Sequence, residues 1–147
     1  MNCTFFGHKN APFSIKPSLE DQIKLLIKKG VDTFLVGNNG NFDLIVQGVL
    51  EKIALSNASI KYNIVLSRID ESAISGNQNA TLFPEGFEKF PKRFAISKRN
   101  EWLIKNSSYA IVYVQDKYSN SYKWLQKASK KRLNVINLFD KNKADTV

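Results

Sequence analysis

Short apolar runs alternate with stretches of helical period along almost the whole chain. Cys3 to Gly7 reads as a first strand. Leu19, Ile23, Leu26 and Ile27 then recur at helical spacing, with Ser18 placed as an N-cap after Pro17 and Gly30 where a C-terminal cap belongs, which predicts a helix from about Leu19 to Lys29. Thr33 to Val36 is a short buried strand, stopped by Gly37-Asn38-Asn39-Gly40-Asn41, and Phe42 to Leu55 returns to helical period through Leu44, Ile45, Val49, Leu50 and Ile53. Ile60 to Leu66 is a third strand. Ser67 to Lys92 is polar and carries Phe83-Pro84-Glu85-Gly86 and Phe90-Pro91, so regular structure is not expected there beyond a short turn or helix. Helix resumes over Arg93 to Asn106, where Phe94, Trp102, Leu103 and Ile104 are expected to line an apolar face. A strand at Tyr109 to Val114, a helix from about Ser121 to Arg132 and a strand at Asn134 to Leu138 complete the pattern. This is an α/β fold, Rossmann-like, with about five mainly parallel strands flanked by helices on both faces. One domain is expected over residues 1–140, followed by a frayed charged tail, Lys141 to Val147.

Composition narrows the class. The chain has 147 residues, 43% hydrophobic and 12% aromatic, which is enough to close one core and excludes collagen-like and wholly disordered chains. No apolar stretch approaches the roughly 20 residues of a membrane helix, and the N-terminus lacks the pattern of a secretory signal, so a cytoplasmic protein with no membrane partner is expected. One cysteine and one histidine cannot assemble the usual zinc sites. Neither a metal nor a cofactor is called for.

Lys plus Arg at 22 against Asp plus Glu at 13 gives a net charge of +9, which favours a polyanionic partner: nucleic acid, an anionic surface or a phosphorylated small molecule. The basic residues are scattered, as on solvated helix faces, with clusters at Lys92-Arg93 and Lys98-Arg99.

In open α/β sheets ligands sit beyond the carboxyl ends of the strands. Three such loops are readable, at Gly7-His8-Lys9, Gly37 to Asn41 and Gln115 to Ser121. In the second, two glycines spaced by two asparagines would let backbone N–H groups approach an anion at a helix N-terminus. It matches neither the dinucleotide fingerprint nor a P-loop. Asp43 suits a ribose diol, or simply the dipole of its own helix. His8 could donate to a phosphate or cap a loop. Arg93 and Arg99 suit bidentate phosphate recognition, and equally an exposed basic face. Asn100 suits a base edge or a ribose, and Glu101 is a candidate acid or nucleophile.

Thr4-Phe5-Phe6-Gly7-His8, then Phe34-Leu35-Val36-Gly37-Asn38-Asn39-Gly40-Asn41-Phe42-Asp43, Pro84-Glu85-Gly86, Arg93-Phe94-Ala95-Ile96, Arg99-Asn100-Glu101-Trp102 and Val135-Ile136-Asn137-Leu138 resemble small standalone bacterial proteins of the SLOG superfamily. That superfamily is Rossmann-like and includes the lonely-guy-type phosphoribohydrolases, the DNA-processing protein A and nucleotide-signal sensors of antiviral defence. The resemblance implies that Gly7, His8, Gly37, Asn38, Asn39, Gly40, Asn41, Asp43, Arg93, Arg99 and Asn100 surround a nucleotide-like ligand. It also implies self-association into a homo-oligomer.

The phosphoribohydrolases carry a Pro-Gly-Gly-x-Gly-Thr loop and a catalytic glutamate where this chain has Gln115-Asp116-Lys117-Tyr118-Ser119-Asn120-Ser121. Glycosidic cleavage needs a positioned carboxylate, and Asp43, Glu85 or Glu101 would have to supply it. The leading expectation is therefore a binding module for a phosphorylated nucleotide derivative, such as a cyclic or ADP-ribose-like signal, acting as a sensor or a sequestering sponge in phage–host conflict. A nucleoside-phosphate N-glycosidase or ribosyl transferase using Glu101 or Asp43 is the second reading, and nucleic-acid binding the third.

Overall fold

Period-two alternation along the strands sets the layers. In β1 (Asn2–Gly7) Cys3 and Phe5 enter one core and Phe6 the other. β2 (Thr33–Val36) divides the same way, with Phe34 and Val36 on the first face and Leu35 on the second. The first core is closed by α1 (Lys16–Lys28) through Leu19, Ile23 and Leu26, and by α2 (Gly40–Ser56) through Ile45, Val49 and Leu50. The second is closed by α3 (Lys92–Lys105) through Leu103 and Ile104, and by α4 (Asn120–Lys130) through Trp124 and Ala128. The arrangement is a Rossmann-like α/β fold, described by a computed structural model over residues 1–69 and 80–139.

With β3 (Lys61–Val65), β4 (Thr81–Leu82), β5 (Tyr109–Tyr113) and β6 (Asn134–Asn137), the sheet has six strands in the order β4-β3-β2-β1-β5-β6, and every pairing is parallel. From β1 the chain runs outward to β4, then returns to the other side of β1 as β5. The strand order therefore reverses between β1 and β5, where adjacent loops diverge and leave a crevice.

Several expectations are corrected. Among the described residues the sheet has six strands where about five are expected, because β4 lies in the stretch read as irregular and two residues are too few to show alternation. The helix expected from Leu19 begins at Lys16, with Pro17 in its first turn and Ile15 as N-cap, so Ser18 is not the cap. On α3 the buried stripe is Ala95, Arg99 and Leu103 with Asn100 and Ile104. Phe94 falls beside that stripe and is 46% exposed, with the Arg93 guanidinium 4.8 Å from its ring centre. The frayed tail over 141–147 and the irregular structure expected over 70–79 lie outside the described residues.

Candidate functional site

The registers bring Gly7 opposite Tyr113 at the carboxyl ends of β1 and β5. Beyond them opens a cleft of about 440 Å³, bounded by the loops after β1 and β2, the N-terminal half of α3 and the start of α4. The apolar part of its lining comes from the edge of the second core, Phe6, Leu103 and Trp124, with the Phe6 and Trp124 rings stacked at 6.1 Å. The polar part of the lining is Lys9, Asn10, Ser119, Asn120 and Lys123. A second cleft, of about 430 Å³, lies on the other side of the Asn38–Gly40 segment and includes Leu44, Arg68 and Lys92.

Three glycines are required where the loops meet. A Cβ on Gly7 would stand 2.3 Å from Cγ of Phe42. Gly40 has a φ of +87°, and a Cβ there would stand 2.7 Å from Cα of Lys9, while the Asn41 N–H donates to the Lys9 carbonyl at 2.9 Å. The loops after β1 and β2 are thereby interlocked. At Gly37 a Cβ would meet Cζ of Arg99 at 2.8 Å and Oδ2 of Asp43 at 3.0 Å, so this glycine makes room for a buried charge pair.

Arg99 is only 2% exposed. Its Nε donates to Oδ1 of Asn100 at 3.1 Å, Nη1 to Oδ1 of Asn38 at 3.0 Å and to the Val65 carbonyl at 3.4 Å, and Nη2 to Oδ1 of Asn39 at 2.7 Å. Those four bonds use four of the five N–H donors a guanidinium owns. Arg99 thus ties α3 to the β2–α2 loop from within, with four of its donors committed to the protein. Asp43 is buried beside it and accepts the Asn39 N–H on Oδ2 at 2.9 Å, which caps α2. Burial pushes the Asp43 carboxyl up to about 6, against the pull of the Arg99 charge and the Asn39 N–H.

The amides of Asn39 and Asn41 are therefore already spent on Asp43 and Lys9. Their availability to an anion, anticipated from the Gly-Asn-Asn-Gly spacing, is not what the folded loop offers. His8 likewise turns inward: its Nε2 accepts the Gln115 N–H at 2.8 Å, and its ring packs edge-on to Tyr113. The loop after β5 builds its turn without glycine, since Asp116 Oδ1 accepts the Tyr118 N–H at 2.8 Å and the Ser119 hydroxyl caps α4 by accepting from Tyr122 N–H at 3.1 Å.

Of the residues singled out from the sequence, Gly7, His8, Gly37, Asn39, Asp43, Arg99 and Asn100 line the main cleft. Asn38 and Gly40 border the second one, and Asn41 supports the loop from behind. Arg93 is exposed and lines neither cleft, and Glu101 is an exposed partner of Lys98 at 3.7 Å. Lys9, Asn120 and Lys123 were marked at most as parts of loops or helices, whereas Phe6, Leu103 and Trp124 read as ordinary core positions. No local signal separates an apolar cleft wall from a core.

Cys3 is fully buried and its thiol is pushed up by burial. Among the described residues no group of three His, Cys, Asp or Glu side chains converges to hold a metal ion, and no helix is long and apolar enough to cross a membrane.

No protein-family profile matches the chain. No curated protein matches it either. Among solved structures the chain is similar to DNA processing protein A from Streptococcus pneumoniae, with a TM-score of 0.66 and 17% sequence identity over 91% of this chain and 48% of that one. The chain thus spans about half the length of that structure, and the likeness shows a shared fold.

Proposed function

We propose that the protein binds a phosphorylated nucleotide derivative in the switch-point cleft and holds it without cleaving it. The observation that carries this reading is the cleft itself. Its volume of about 440 Å³ falls in the range of small-molecule pockets, it sits where a parallel sheet reverses its strand order, and its lining mixes apolar, aromatic and polar side chains. Phe6, Leu103 and Trp124 suit the face of a base, while Lys9 and Lys123 supply positive charge for phosphate. Membership of the SLOG superfamily belongs to the same proposal, and the fold likeness is consistent with it.

Retention rather than turnover follows from the carboxylates. Asp43 is the acid lining the cleft, and one of its oxygens is held by the Asn39 N–H. Glu101 faces away, toward Lys98. Asp43 keeps its other oxygen, but Glu85 and Glu101 line neither cleft, so Asp43 lacks the second carboxylate that glycoside hydrolysis ordinarily pairs with the first. A protein of this kind would act as a sensor or a sponge for its ligand, with a cyclic or ADP-ribose-like nucleotide as the chemical class. The test is mass spectrometry of the small molecules released from the purified, denatured protein, paired with a thermal-shift screen of nucleotides. A stoichiometric intact nucleotide, or a marked thermal shift, is expected. Release of free base from a nucleoside phosphate, abolished by Asp43→Asn, would instead establish an enzyme.

A second reading, nucleic-acid binding, is favoured by the +9 charge together with the fold likeness to a DNA-processing protein. It requires affinity for DNA or RNA that falls steeply with salt and indifference to small nucleotides.

A further inference from the structure

We infer that Asn39 and Asn100 form a paired donor site, oriented by Arg99, that takes an acceptor oxygen of the ligand. This rests on the binding reading above and adds which residues make the contact and with what polarity. A guanidinium has donors and no acceptor, so a carboxamide that meets it must present its oxygen. Asn39 does so to Nη2 at 2.7 Å and Asn100 to Nε at 3.1 Å. With both oxygens fixed on Arg99, both NH2 groups point elsewhere.

Where they point is decided by the cleft. Both asparagines line it, Asn39 standing between it and the second cleft, and among the described residues neither Nδ2 has a hydrogen-bond partner. Asn100 is itself only 7% exposed. The fully enclosed side-chain nitrogen or oxygen without a partner is Ser107 Oγ, so the Asn100 Nδ2 keeps an opening, and the open space at Asn100 is the cleft. An NH2 that opens on the cleft is hydrated there, and a ligand acceptor would take the place of that water. Arg99 does not touch the ligand. It is a positioning residue that gives the two carboxamides their direction.

The acceptor is either a phosphate oxygen or a base carbonyl, and the probes separate the two. Asn100→Asp and Asn39→Asp keep an oxygen on Arg99, so the scaffold is retained, but replace the outward NH2 by an acceptor. Urea midpoints and thermal-shift affinities would be measured for the wild type and both variants with IMP, AMP, inosine and adenosine. The expected result is a midpoint held or raised with nucleotide affinity reduced roughly thirtyfold, the order expected for losing one hydrogen bond and facing an acceptor instead. A purely packing role would move stability and affinity together. Equal losses for IMP and AMP, with neither nucleoside binding, assign the contact to phosphate; a loss confined to IMP and inosine assigns it to the base carbonyl.

Wild-type affinity in either folded variant overturns the inference and leaves the binding reading intact. Two variants on separate elements guard against one failing to fold. A wild type that binds none of the four probes, releases no nucleotide on denaturation and is stabilised by none in the thermal-shift screen overturns the binding reading, and the donor pair with it.

Discussion

Nε2 of His8 accepts the backbone N–H of Gln115 at 2.8 Å, joining the loop after β1 to the loop after β5 across the point where the strand order reverses. A weaker approach from the Asp116 N–H, at 3.4 Å, falls on the same nitrogen. Because Nε2 accepts, the imidazole proton resides on Nδ1. The histidine thus shapes one wall of the cleft.

His8→Ala should cost on the order of 1 kcal/mol of stability, the usual net value of such a hydrogen bond. Its clearer signature is local. Amide hydrogen exchange at Gln115 and Asp116 should accelerate, while exchange in β2 and α2 stays as in the wild type. Uniform acceleration across the chain would mean that the bond does not hold this loop in particular.

Gly37 and Gly48 should respond to alanine with opposite signs. At Gly37 the new methyl would collide with the Arg99 guanidinium and the Asp43 carboxylate, groups held by their own hydrogen bonds, so Gly37→Ala should destabilise by about 1–3 kcal/mol and displace the asparagines of the cleft. At Gly48, inside α2, nothing lies within 4 Å of the Cβ position. Gly48→Ala should therefore stabilise by about 0.5–1 kcal/mol through helix propensity. Urea denaturation of the two variants decides both signs.

Asp43 should impose a pH dependence opposite to that of an ordinary ion-paired carboxylate. Its carboxyl is pushed from 3.8 to about 6, so between those values the folded protein holds a proton that the unfolded chain has released. The contribution is fully present below about pH 4 and is lost as pH rises through about 6. A shift of this size corresponds to something on the order of 3 kcal/mol. Asp43→Asn keeps an oxygen for the Asn39 N–H and removes the titration. Urea midpoints from pH 4 to 7 should therefore fall less steeply for the variant, and parallel curves would show that Asp43 ionises without penalty.

Strands and helices were legible to within a few residues because their periods are repeated several times, as in Cys3, Phe5 and Phe34, Val36 on one face of the sheet. β4 was not, since Thr81 and Leu82 contain no repeat. The cleft was legible as a position, at the ends of β1, β2 and β5, but the roles of its residues were not. Arg99 sits in a basic run that looks like a solvated face, and only the three-dimensional approach of Asn38, Asn39 and Val65 shows a guanidinium directed inward. The Gly37–Asn41 loop has the composition of an anion cradle, yet two of its amides are taken by residues that no spacing rule connects to it, Asp43 and Lys9.

Arg99 and Arg93 test that distinction directly. Arg93 is exposed and rests on Phe94, so Arg93→Ala should stay within about 0.5 kcal/mol of the wild type. Arg99→Ala would strip the donor from three carboxamide oxygens and the Val65 carbonyl, and leave Asp43 buried without its neighbouring cation. Removing one partner of such a buried network costs about 3–5 kcal/mol, since the groups left behind stay dry and unpaired. Arg99→Lys restores the charge but not the planar fork, so it should recover only part of that loss. Equilibrium unfolding of the three variants should therefore rank Arg93→Ala, Arg99→Lys and Arg99→Ala in falling order of stability. An Arg99→Ala protein as stable as Arg93→Ala would mean that the guanidinium is not what holds α3 to the β2–α2 loop.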